Sequence, residues 1–144
     1  ARRATKNRRK GNVMLRIHSV LSDEVERLVH RIIGSGLTVH RELGPGFLEA
    51  VYQRSLYLEL QAQGLQFERE HVVQVSYRSE VVAVHRIDLI VERAVIVEVK
   101  ASRRIDPVHE AQVISYLKAT GLRVGLLMNF NAAVFRGGIR RIVL

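Results

Sequence analysis

Apolar residues recur at helical spacing through Val25, Leu28, Val29, Ile32, Ile33, Val39 and Leu43, the period of an amphipathic helix. Ser22 followed by Asp23 and Glu24 supplies its start, an oxygen cap with acids in the first turn. Gly44-Pro45-Gly46 ends it, and Gly34-Ser35-Gly36 weakens its middle, which allows close packing or a kink. A second helix is predicted from Phe47 to Gln63 with Gly64 as its stop; Glu49, Tyr52, Gln53 and Leu56 share one stripe of it. From Phe67 to Tyr77 the period shortens to two, the alternation of a strand. Arg78-Ser79-Glu80 turns the chain into two further predicted strands, Val82–Val91 and Val95–Ala101, joined by Glu92-Arg93-Ala94. Asp106-Pro107 offers an N-cap and a proline at the first helical position. That helix is predicted to run to Thr120 before Gly121, with His109, Gln112 and Tyr116 on one stripe. Two apolar stretches, Arg123–Phe130 and Ile139–Leu144, read as closing strands.

The order is helix, helix, three strands, helix, strand, strand, which predicts an α/β sandwich. At 144 residues the chain suits one domain with a real core. There is no cysteine, hence no disulfide frame and no thiolate metal site. No apolar run reaches membrane-spanning length, and the N-terminus lacks the apolar core of a signal peptide. The expected setting is therefore cytoplasmic. Of the 23 basic residues, six (Arg2, Arg3, Lys6, Arg8, Arg9 and Lys10) fall within residues 1–13, which hold no acid. The rest of the chain carries 17 basic against 14 acidic residues, so the net charge of +9 is concentrated in this stretch. Residues 1–21 are expected to form a disordered basic tail suited to a polyanion, and residues 22–144 the domain. The chain does not begin with Met, and Met14 is an alternative start.

Three charges stand among the Val, Ile and Leu of the central pair of strands: Asp88, Glu98 and Lys100. Strand alternation puts Glu98 and Lys100 on one face with Ile96. A hairpin symmetric about Arg93 sets Asp88 directly opposite Glu98. Two facing carboxylates repel unless something cationic lies between them, and a divalent metal with the Lys100 ammonium would meet that need. On these residues alone, a structural ion-pair cluster is an equal alternative. No dinucleotide fingerprint, P-loop, HExxH or GxSxG motif is present, and the remaining histidines show no metal-binding spacing.

Gly46-Phe47-Leu48-Glu49-Ala50-Val51-Tyr52 resembles the motif that names the GxxExxY protein family, a branch of the PD-(D/E)XK nuclease superfamily. The resemblance extends from Val25 to Leu144, through the Arg86–Ala101 hairpin, the stretch from Pro107 to Phe130 and the closing Gly138–Val143. It implies a restriction-endonuclease-like αβββαβ core, a mixed central sheet flanked by helices. It also implies Asp88, Glu98, Lys100 and Glu49 as catalytic residues, with Asp88, Glu98 and Glu49 as ligands of Mg²⁺ or Mn²⁺. Gln112 and Tyr116 resemble the Q-x-x-x-Y element of RecB-type exonucleases. With Tyr52 and His109 they would contact substrate or support the site, core packing being the equal alternative for Tyr52 and Tyr116. One departure is Ile87, which stands where the motif has proline. The implied function is metal-dependent hydrolysis of nucleic acid, DNA rather than RNA. The alternatives are a non-catalytic nucleic-acid or protein-binding module on the same fold, or a metal-dependent hydrolase of another substrate. The small size suggests a homodimer or a partner protein that helps grip the substrate.

Overall fold

The computed structural model describes residues 20–144; the basic stretch of residues 1–13 lies outside the described residues. Leu21, in the predicted tail, packs into the core. Helix α1 (Asp23–Leu43) begins where the Ser22 hydroxyl accepts the Val25 N–H at 3.2 Å, and its first turn holds Asp23, Glu24 and Glu26. It runs unbroken through Gly34-Ser35-Gly36, with no kink, and of the two glycines only Gly36 serves close packing. Gly44, at φ 67°, closes it by donating to the His40 carbonyl. Helix α2 (Glu49–Ala62) starts two residues later than predicted, because Phe47 and Leu48 are still part of the connecting turn.

Strands β1 (Phe67–Tyr77) and β2 (Glu80–Val91) form a long hairpin. Its turn is only Arg78-Ser79, both at positive φ, so β2 begins two residues before the predicted Val82. Glu92 and Arg93, also at positive φ, lead into β3 (Val95–Lys100). Helix α3 (Pro107–Thr120) carries the chain over to β4 (Val124–Asn129), parallel to β3. After a 3₁₀ turn at Phe135–Gly138, which the sequence pattern did not reveal, β5 (Ile139–Val143) closes the sheet. The sheet order is β1-β2-β3-β4-β5, the predicted mixed sheet flanked by helices. Among the described residues no helix is long and apolar enough to cross a membrane.

Alternation decides which layer each strand residue joins. Val95, Val97 and Val99 bury against Val29, Ile32 and Val39 of α1 and Tyr52, Leu56 and Leu60 of α2. Ile96, Ile90 and Leu127 bury on the other face, against Val113, Tyr116 and Leu117 of α3. Each fully buried aliphatic side chain contributes roughly 1.5–3 kcal/mol, so β3, with five of its six residues buried, anchors both layers.

Gly34 has open space around the position of a Cβ, whereas a Cβ on Gly36 would lie 2.7 Å from the ring of Phe135. Gly34→Ala should therefore stabilise the protein by about 0.5–1 kcal/mol through helix propensity. Gly36→Ala should destabilise it by about 1–3 kcal/mol through overpacking. Urea unfolding of the two variants checks this opposite pair of signs.

Candidate active site

The β2–β3 ladder ends where the charges begin. Val91 pairs with Val95, Ile90 with Ile96 and Leu89 with Val97, a register that sets Asp88 opposite Glu98. No backbone pairing continues there. Instead the Asp88 N–H donates to Glu98 Oε1 at 3.0 Å, and the Val99 N–H donates to Asp88 Oδ2 at 2.8 Å. Each carboxylate takes a main-chain donor of the opposite strand, so the strands part without leaving those donors bare.

The other neighbour of β2 yields at the same point. β1 pairs Arg69 with Leu89 and then His71 with Ile87, passing over Glu70, which sits at φ 52°. Across this break the alternation inverts: Leu89 joins the α1/α2 side of the core, and Ile87 the α3 side. Asp88 is thereby released from the regular pleat, and the Gln53 side chain on α2 hydrogen-bonds to it. Gln53 follows Glu49 by one helical turn, which puts both on the side of α2 that faces the carboxylates.

The site is short of positive charge. Burial raises the Asp88 pKa, against the Val99 and Gln53 hydrogen bonds and the Lys100 charge. Glu98 is 4 % exposed, and its pKa is pushed up to about 8 by burial and then by the Asp88 charge. Lys100 opposes both rises, yet it forms no ion pair with them among the described residues. Glu49 lies exposed at the first position of α2. Partial desolvation raises its pKa, Lys100 and His109 lower it, and Asp88 raises it. The four residues therefore share one electrostatic neighbourhood.

The donor set fits a hard divalent cation: carboxylate oxygens of Asp88 and Glu98, with Glu49 near enough to feel their charge. No group of three His, Cys, Asp or Glu residues among the described ones is close enough to hold a metal together. The pair Asp88–Glu98 is thus the part of the predicted ligand set that the fold brings together, and Glu49 stands further out.

The other expected residues are spread differently. Tyr52 is fully buried; its hydroxyl donates to the Gly44 carbonyl at 2.5 Å and accepts the Phe47 N–H at 3.1 Å. It stacks on Phe130 and clasps the turn that precedes Glu49. His109 Nδ1 accepts the Asp106 N–H at 3.3 Å, closing a reciprocal cap on α3. Tyr116 is 4 % exposed, and burial, then Glu98 and Asp88, push its pKa up to about 12, so its hydroxyl stays protonated beside the carboxylates. Gln112 lines a groove between α3 and the β1–β2 hairpin, with Val75, His85 and Tyr116.

Two supporting residues escaped the sequence reading. Gln53 was visible on the Glu49 stripe but had no reason to be singled out. Asn129, at the end of an apolar strand, is 2 % exposed. Its Oδ1 accepts the Ser102 N–H at 3.1 Å, and its Nδ2 donates to the Ser102 carbonyl at 2.9 Å. With the Phe130 N–H on the Lys100 carbonyl at 2.9 Å, Asn129 pins the backbone on either side of Ala101. A polar residue closing an otherwise apolar buried run was the available signal.

A family model of the PD-(D/E)XK nuclease superfamily matches residues 26–142. No curated protein and no solved structure gives a significant match.

The raised pKa of Glu98 makes stability depend on pH. A folded pKa of about 8 against the usual 4.5 means that the folded state holds a proton the unfolded chain has released. Glu98's contribution is fully present below the lower value and is lost as pH rises through the upper one. In EDTA, stability should therefore fall as pH climbs through this window, and Asp88→Asn, which removes one of the two causes, should flatten the fall. Denaturant melts of both proteins across that range check it; a structural ion-pair cluster would instead make Asp88→Asn less stable throughout.

Proposed function

The chain belongs to the PD-(D/E)XK nuclease superfamily, and on that premise we propose that it hydrolyses phosphodiester bonds of nucleic acid, DNA before RNA, with Mg²⁺ or Mn²⁺. The observation that carries this reading is the opposed pair Asp88–Glu98, half-buried and buried, with the Lys100 ammonium beside them and unpaired among the described residues. A protein that needed this corner only for stability gains nothing from two confined carboxylates whose pKa values are driven up. The Gly46–Tyr52 stretch supports placing the chain in the GxxExxY branch.

Asp88 and Glu98 would hold the cation, with Glu49 acting through water. When bound, the cation neutralises charge on the phosphate and makes an attacking water more acidic. Lys100 orients that water and stabilises negative charge that develops on the phosphoryl oxygens. Gln53 fixes the Asp88 carboxylate, and the Asn129–Ser102 bonds hold the strand end that carries Lys100. The protonated Tyr116 hydroxyl supplies a neutral donor at the α3 side. Tyr52 acts one step back, by fixing the turn from which Glu49 starts α2.

Linear, circular and branched DNA and RNA, each incubated with Mg²⁺, Mn²⁺ or EDTA, test the reading directly. Cleavage is expected only with metal. Lys100→Ala should lower it by about 10²-fold or more while the variant keeps the circular dichroism of the folded protein. Tight DNA binding with no cleavage under any condition would instead favour the binding module.

A further inference from the structure

Helix α2 carries a polar stripe past the carboxylates, and an arginine of β1 stands at its far end. Glu49, Gln53 and Tyr57 follow one another at intervals of four residues, which places them on one face. Glu49 lies within reach of the Asp88 charge, and Gln53 hydrogen-bonds to Asp88. Burial raises the Tyr57 pKa, the Asp88 and Glu70 charges raise it further, and Arg69 lowers it. The Arg69 guanidinium lies over the Tyr57 ring, 5.2 Å from its centroid, within the range of a cation–π contact. Tyr57 is half-buried and stacks on Phe67 at 5.6 Å, so the platform under the arginine is fixed. Register explains the placement. Arg69 pairs with Leu89 immediately before β1 passes over Glu70. Leu89 faces the α1/α2 layer, and directly opposed residues share a face. Arg69 therefore projects on the α2 side, one position from the level of Asp88.

The acids around Arg69 are engaged elsewhere. Glu68 holds His71 at 2.7 Å, and Glu70 lies 3.8 Å from Arg86. Asp88 takes the Val99 N–H and Gln53. Arg69 is exposed and has no ion pair among the described residues. Stacking occupies the flat face of the guanidinium and leaves its N–H edge open, the fork that takes a phosphate through two bonds. Gln53, which touches Asp88, and Tyr57, which carries Arg69, are one helical turn apart, about 6 Å along the axis. A strand of duplex DNA advances about 3.4 Å per nucleotide. With its scissile phosphate at the carboxylates, such a strand brings a phosphate one or two nucleotides away to Arg69.

We propose that Arg69, propped on Tyr57, binds a backbone phosphate of the substrate strand one or two nucleotides from the bond that is cut. The proposal rests on the reading of Asp88–Glu98 as the cleavage site and adds to it a grip that lays the strand along α2. Arg69 touches no reacting atom, so it acts on affinity and not on the chemical step.

Binding of duplex DNA by the full chain, titrated in EDTA across salt concentrations, tests the grip apart from cleavage. Arg69→Ala should make the slope of log K against log salt shallower by about 0.9, the share of one phosphate contact, with unchanged circular dichroism. Arg69→Lys keeps the charge and should recover the slope. Arg93→Ala removes an exposed arginine from the β2–β3 turn, at the opposite end of β3 from Lys100, and should leave the slope as in wild type. In Mg²⁺, Arg69→Ala should raise KM by about tenfold at unchanged kcat, the mark of lost uniform binding. A wild-type slope in Arg69→Ala overturns the proposal even if the protein cleaves DNA, because a merely structural arginine would behave so. An equal drop in Arg93→Ala overturns it too, and so does a wild type that does not bind duplex DNA. A slope that depends on Arg69 in a protein that never cleaves keeps the phosphate grip and removes the nuclease reading instead.

Discussion

The structure turns on the exchange of hydrogen bonds between Asp88 and Glu98. Where the β2–β3 ladder stops, the two carboxylates accept the main-chain N–H groups of the facing strand. Those bonds favour the ionised forms, and so does Lys100; burial opposes them and prevails, helped by the Asp88 charge at Glu98 and by the Glu70 charge at Asp88, since both pKa values end up raised. A strand end held this way is satisfied in its backbone and unsatisfied in its charge. That imbalance is what a bound cation would relieve.

Everything around the pair serves to keep it open and aimed. β1 passes over Glu70 at the same level, so neither neighbour forces Asp88 back into the pleat. The core on both faces of β3 fixes the strand that carries Glu98 and Lys100. α2 reaches the site through Gln53, and its start is set by the Tyr52 hydroxyl on the turn at Gly44–Phe47. Asn129 fastens the segment after Lys100 to the end of β4. Membership of the PD-(D/E)XK superfamily agrees with this arrangement of strands and charges.

Much of the layout was legible in the sequence because its signals were local. The period of the apolar residues separated helices from strands, Ser22 and Asp106 marked helix starts, and the symmetry of the hairpin about Arg93 predicted that Asp88 faces Glu98. The inversion at Asp88 was not legible. Asp88-Leu89-Ile90-Val91 looks like regular alternation, and only the left-handed Glu70, 18 positions away in sequence but adjacent in space, shows that the pleat breaks. Tyr52 and His109 share a difficulty of a different kind: spacing placed them on the right helix faces, but the partners that occupy their polar atoms are main-chain groups of a turn and a cap. The late start of α2 and the early start of β2 are decided by turn geometry that composition does not specify.

Asp88 and Glu98 form a confined like-charge pair, and the proposed function requires that this pair take up a divalent cation. A carboxyl-carbon NMR titration of Glu98 in EDTA, repeated with Mg²⁺, tests it most directly. The Glu98 pKa should be raised from 4.5 to about 8 without metal and should fall when Mg²⁺ is added, because the cation favours the ionised form. A Glu98 that titrates near 4.5 in EDTA and does not respond to Mg²⁺ would contradict it.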